Sequence, residues 1–167
     1  MPHLTLEYSA NLRNFSALKR LWQTPARVLV AQQADGAPVY PIGGARVRAI
    51  VAHEFCVGDG RFHDAAFVHA HLKVGAGRSD AVGTATGHAL FEAMKSHFAR
   101  EYAAQGLALS LEISEFSEAG TWKHNNLHAR FAASVAGGAA APAAGFAGER
   151  SAAPRTPADP AAPDANA

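Results

Sequence analysis

Pro2 stands directly behind the initiator methionine, at the head of Pro2-His3-Leu4-Thr5-Leu6-Glu7-Tyr8. If Met1 is removed, as usually happens when the second residue is small, Pro2 presents a free secondary amine. An acylated proline nitrogen has no basicity, whereas a free one can take a proton or attack a carbonyl. The same residue also suits the start of an edge strand, where its missing N–H leaves no ladder bond unmade. Further along, Arg46 and Arg48 fall on one face of a strand, and Arg78 lies in the turn Gly75-Ala76-Gly77-Arg78-Ser79 that opens a helix. Backbone N–H groups and the helix dipole favour an anion there, and a guanidinium grips a carboxylate with two parallel bonds. Each charge-assisted contact contributes about 1.5–3 kcal/mol, so two arginines converging on one ligand would select dianions. Each arginine taken alone is equally at home in solvent or in a structural ion pair.

Other groups carry weaker signals. His69 and His71 share a strand face, but no third ligand follows at a recognisable spacing, so no metal site is expected. Lys73 and Glu112 could pair across neighbouring strands, a structural contact. Cys56 has no basic neighbour in sequence to activate it. Trp122 and Lys123 either line a pocket edge or pack the closing segment.

The elements that must position these residues are legible as periodicities. Leu4, Leu6 and Tyr8 alternate with polar residues, which reads as a half-buried strand. Phe15, Leu18, Leu21, Trp22, Val28 and Leu29 follow at roughly helical spacing, with Thr24-Pro25 either restarting the helix or kinking it. A second strand is predicted from Ala45 to Phe55 and a third from Ala65 to Val74, with His69, His71 and Lys73 opposite its apolar face. A long helix follows Ser79, its apolar positions running from Val82 through Leu90, Met94 and Phe98 to Tyr102. Leu107, Leu109, Leu111 and Ile113 mark a fourth strand. Strand-helix-strand occurs twice, and each unit makes a right-handed crossover between parallel strands. The expected fold is α+β: a two-layer sandwich of two β-α-β units, with a four-stranded mixed sheet and two helices on one face. The sheet's other face, with Arg46, His69, His71 and Glu112, is too polar for a monomer's core and too apolar in places for plain solvent. Burial against partner subunits is expected.

Length and composition set the remaining bounds. A chain of 167 residues suffices for one domain with a real core. A formal charge of +1 argues against a polyanion binder, so no nucleic-acid partner is expected. One cysteine excludes an internal disulfide. No cationic segment followed by an apolar run opens the chain, and no stretch approaches the roughly 20 apolar residues needed to cross a bilayer. A cytoplasmic protein without membrane association is expected. Residues 1–132 read as the folded domain, and 133–167 as an Ala/Pro/Gly-rich tail too poor in apolar bulk to offset its ordering entropy.

Several separated motifs carry a family resemblance. Met1-Pro2-His3, Gly43-Gly44-Ala45-Arg46-Val47-Arg48, His63-Asp64-Ala65-Ala66-Phe67-Val68-His69, Leu72-Lys73-Val74-Gly75-Ala76-Gly77-Arg78-Ser79 and Lys123-His124-Asn125-Asn126-Leu127-His128-Ala129-Arg130-Phe131 occur in order. Together they resemble the 5-carboxymethyl-2-hydroxymuconate Δ-isomerase family, a branch of the tautomerase superfamily. The resemblance runs from Pro2 to about Phe131 and departs in the first helix and the Gln32 to Tyr40 loop. It implies a tautomerase-like domain, a homotrimer, an amino-terminal proline as general base, and no metal or organic cofactor. Pro2 matches the catalytic proline, while Arg46 and Arg78 match arginines that bind a small dicarboxylate substrate. Arg48 and Lys73 match basic positions without an assigned role.

The expected reaction moves a proton within an unsaturated hydroxy- or keto-dicarboxylate of aromatic catabolism. Pro2 must be neutral to act as base, so its pKa must fall, and desolvation with nearby Arg46 and Arg78 would lower it. Two competing readings remain at this level. A hydratase- or decarboxylase-type relative would use the amine as nucleophile or direct water onto an unsaturated acid. A trimeric binding protein would carry the pocket without chemistry.

Overall fold

The computed structural model describes residues 1–12 and 20–136. Residues 13–19 and 137–167 lie outside the described residues, and with them Phe15 and Leu18 of the expected first helix and most of the expected tail.

Strand β1 (His3–Ser9) lies in the interior of the sheet, not at its edge. It pairs in parallel with β4 (Arg46–Ala52) and antiparallel with β5 (Ala66–Gly75), and β5 pairs in parallel with β6 (Leu107–Phe116). Each parallel pair is closed by a helical crossover. Helix α1 (Gln23–Ala31) connects β1 towards β4, and α2 (Asp80–His97) with the short α3 (Ala99–Ala104) connects β5 to β6. The fold is therefore α+β, two β-α-β units joined into one mixed sheet of order β4-β1-β5-β6. A two-residue hairpin, β2 (Gln33–Ala34) and β3 (Ala37–Pro38), lies after α1.

Register explains the core. Leu4 stands between Val47 and Leu72, and Leu6 between Ala49 and Ala70, with Leu111 beyond Ala70. All of these point to the helical side, where Leu29, Leu90, Met94 and Phe98 close the core. On α2 and its end, Thr86, Leu90, Met94 and Phe98 recur every four residues and form one buried line. Ser79 caps the helix by accepting the Val82 N–H at 3.4 Å, and Lys95 and His97 in the last turn complement its dipole. Pro25 falls in the first turn of α1, where its missing N–H costs no helical bond.

Three expectations need correction. Strand β4 ends at Ala52, not Phe55, because Ala52 pairs with Ser9 and β1 offers no residue beyond it. The long helix breaks at Phe98, which turns Tyr102 out to solvent and places Glu101 in the buried position instead. Lys73 stands opposite Ser114, whereas Glu112 stands opposite His71. The carboxylate of Glu112 is 3.7 Å from His71 Nε2 and 4.0 Å from His69 Nε2, so the Lys73–Glu112 pair does not form.

The polar face of the sheet carries His3, Thr5, Arg48, His69, His71 and Glu112 in adjoining rows. His69 Nδ1 lies 2.8 Å from Ser110 Oγ, and His71 Nε2 lies 2.7 Å from Ser114 Oγ. Among the described residues no group of three or more His, Cys, Asp or Glu side chains is placed to hold a metal ion. No helix among them is long and apolar enough to cross a membrane. Helix α4 (Leu127–Ala136) closes the described chain and runs past the expected domain end at residue 132. It packs on the turn Ile42–Gly44, where a side-chain carbon on Gly43 would stand 2.7 Å from the His128 backbone nitrogen.

Candidate active site

Pro2 is buried at the head of β1, and its carbonyl accepts the Arg46 N–H at 3.0 Å. The central strand thus fixes the chain's second residue against β4. Met1 precedes it, and the Asn125 amide approaches its thioether at 4.0 Å. The same amide donates to the Gly43 carbonyl at 3.0 Å. Arg46 turns back onto that turn, its Nη1 donating to the carbonyls of Gly43 at 3.1 Å and Ala45 at 2.8 Å. Gly43 is therefore a shared anchor for Arg46 and the closing segment.

Arg78 is anchored in the same manner on the other side. Its Nη1 donates to the Gly75 carbonyl at 2.7 Å and its Nη2 to the Val39 carbonyl at 3.5 Å. Its guanidinium also lies 4.9 Å from the centre of the Tyr40 ring, and Tyr40 is held by a 3.2 Å bond from its hydroxyl to Thr86. Glu118 sits over Gly75, where any side-chain carbon would collide with its carboxylate, and Glu118 pairs with Lys123.

These charges meet at the amino terminus. Its amine lies below the usual α-amine range, first because burial disfavours the ammonium form. Lys123 lowers it further, Glu118 opposes, and Arg78 and Arg46 add to the lowering. That amine belongs to Met1 and stands, one residue early, for the nitrogen that Pro2 exposes once Met1 is removed. His3 is also lowered, by burial and then by Arg48, the amine, Arg46 and Lys73. Glu118 is lowered chiefly by its hydrogen bond from Lys123.

A cleft of about 750 Å³ runs between α2 and the edge strand β6, lined by Tyr40, Val74, Arg78, Phe91, Leu111 and Ile113 among others. It contains Arg78 but neither Pro2 nor Arg46. The converging charges at the amine, and not this cleft, mark the candidate site. Of the groups singled out in sequence, Pro2, Arg46 and Arg78 gather there, together with Lys123. Trp122, 91% exposed, packs no interior. Cys56 is exposed, and its sulfur lies 3.8 Å from the Gly58 carbonyl. Glu118, Tyr40 and Asn125, which contact these cations or their anchors, carry no chemical signal of their own in the sequence. Asn125 lay inside a quoted motif, but no periodicity marks the other two.

The family model for 5-carboxymethyl-2-hydroxymuconate isomerase matches residues 2–131. The chain belongs to that family. An Escherichia coli relative named 5-carboxymethyl-2-hydroxymuconate Delta-isomerase is 40% identical over 131 residues, 78% of this chain and 99% of its own length. Two solved structures are also similar. A 5-carboxymethyl-2-hydroxymuconate isomerase from Deinococcus radiodurans R1 is 49% identical with a TM-score of 0.70, covering 78% of this chain and 93% of that one. A 5-carboxymethyl-2-hydroxymuconate delta-isomerase is 30% identical with a TM-score of 0.72 over the same shares. The family is the one to which the separated motifs point, and the matched span takes in Pro2, Arg46, Arg78 and Lys123.

Proposed function

We propose that this chain is a 5-carboxymethyl-2-hydroxymuconate Δ-isomerase in which the free nitrogen of Pro2 is the general base. The observation that carries the reading is the buried Pro2 at the head of β1 with backbone-anchored Arg46 and Arg78 close enough to lower the amine that precedes it. A neutral pyrrolidine nitrogen removes the proton of the substrate's 2-hydroxyl group, and the dienolate charge that develops faces the cations. Pro2 then delivers that proton to C5 of the dienolate, which leaves a C2 ketone conjugated with the remaining double bond. The proton passes through Pro2 and back to the same molecule while the electron pair stays on the substrate, so no net oxidation occurs. Acid–base transfer of this kind contributes roughly 10²–10⁴-fold. Arg46 and Arg78 bind the substrate's carboxylates, and their backbone anchors hold both guanidiniums in place before substrate arrives. Met1 stands half-buried over Pro2, so its removal opens the approach to the nitrogen.

The working form is a homotrimer. The reading is supported by the helix-free sheet face, where Ile50 is 48% exposed among charged and histidine side chains. The cytoplasm is its place of action, a reading to which the single, exposed Cys56 is suited.

The test is the pH dependence of isomerisation. Because the base must be unprotonated, kcat/KM rises with pH through the amine's pKa and then levels off. The expected limb lies below the ordinary α-amine range of about 7.7–8.0. A limb at or above that range would remove the lowered amine from the mechanism.

A further inference from the structure

The segment from Glu118 to Asn125 bridges the anchors of the two arginines. At one end Glu118 occupies the space above Gly75, whose carbonyl holds Arg78. At the other end Asn125 binds the Gly43 carbonyl, which also holds Arg46. Lys123 lies between these two points and is paired only with Glu118 among its described ion pairs. A lysine side chain paired to a half-exposed carboxylate exchanges that partner readily, since such pairs are worth little in water. The name of the family's substrate also sets a count. A muconate has two carboxylates, and a carboxymethyl group adds a third. Arg46 and Arg78 account for two.

We propose that Lys123 is the specificity-determining residue that binds the third carboxylate, leaving Glu118 to do so. The inference rests on the isomerase reading of the site. In the free enzyme Glu118, which lies over Gly75, pairs with Lys123 and satisfies its charge. When a tricarboxylate enters, its additional carboxylate takes the place of Glu118, and the ammonium turns from a surface pair to the ligand. A dicarboxylate lacks that group and leaves the Glu118–Lys123 pair intact. Lys123 also lowers the amino-terminal amine, which places its charge near the same site.

The experiment compares 5-carboxymethyl-2-hydroxymuconate with the dicarboxylate 2-hydroxymuconate in the full chain, at a pH above the acid limb so that protonation of the amine does not enter. Lys123→Met is expected to lower kcat/KM for the tricarboxylate by about 10- to 100-fold, mainly through KM, which is the fold-change for one charge-assisted contact. The loss on the dicarboxylate should be smaller by about tenfold or more, because that substrate loses the charge of Lys123 near the amine but no carboxylate contact. Glu118→Gln removes the competing carboxylate, so KM for the tricarboxylate should fall. Equal losses on both substrates, or a rise in KM for Glu118→Gln like that for Lys123→Met, would overturn the proposal and make the pair a structural brace. A wild-type chain that isomerises neither compound would instead refute the isomerase reading itself.

Discussion

Insertion of one alanine between Met1 and Pro2 is expected to lower kcat by about 10²–10⁴-fold, the usual contribution of a positioned acid–base group. Removal of Met1 from such a chain leaves alanine in front of Pro2, whose nitrogen becomes an amide without a basic lone pair. The structure accommodates a residue there. Met1 already occupies the position, with its Cγ 3.7 Å from where a side-chain carbon on Gly44 would stand. The pairing of β1 with β4 and β5 begins at His3 and does not depend on what precedes Pro2. Thermal stability should therefore hold while turnover is lost. Full turnover by the extended chain, with its mass verified, would show that a free, unacylated proline nitrogen is not required.

Arg78→Ala is expected to lower kcat/KM by about 10- to 100-fold, the range for one charge-assisted contact, through both a higher KM and a lower kcat. KM rises because a carboxylate ligand is lost, and kcat falls because the same charge stabilises the developing dienolate. A second effect separates this role from a structural one. Arg78 contributes to lowering the amine. Without it the ammonium form is less disfavoured, so the acid limb of the pH profile moves to higher pH. A variant that merely loosened the Val39 and Gly75 contacts would lose stability with no such directed shift. Arg78→Lys should recover part of the limb position but little of the KM, because one ammonium cannot reproduce a two-bond grip.

How much of this was legible in the sequence follows from which features are local. The alternations in β1, β5 and β6 were legible because one face of the sheet is buried under α1 and α2, and period two then maps directly onto burial. The strand-helix-strand connections account for the parallel pairing of β1 with β4 and of β5 with β6, and their right-handedness sets the face the helices cover. They say nothing about the antiparallel junction of β1 with β5, and that junction makes β1 an interior strand. The position of Pro2 consequently means more than an edge-strand start. Cross-strand neighbours depend on register, which is why Glu112 faces His71 and not Lys73. Tyr102 kept the helical period but lost its burial because the helix breaks at Phe98. Within the site, the Gly-Arg-Ser turn advertised Arg78. The Glu118–Lys123 pair depends on the chain returning over Gly75 after β6, a tertiary event without a local signature.

The protonation state of the proline nitrogen can be followed directly by ¹⁵N NMR of the active enzyme labelled at proline. The chain has nine prolines, and a nitrogen within a peptide bond does not titrate, so only an uncapped Pro2 can respond to pH. The account predicts one titrating proline nitrogen, with a midpoint below about 7.7–8.0 and matching the acid limb of turnover. An active enzyme without any titrating proline nitrogen, or with one whose midpoint lies at or above that range, would contradict it.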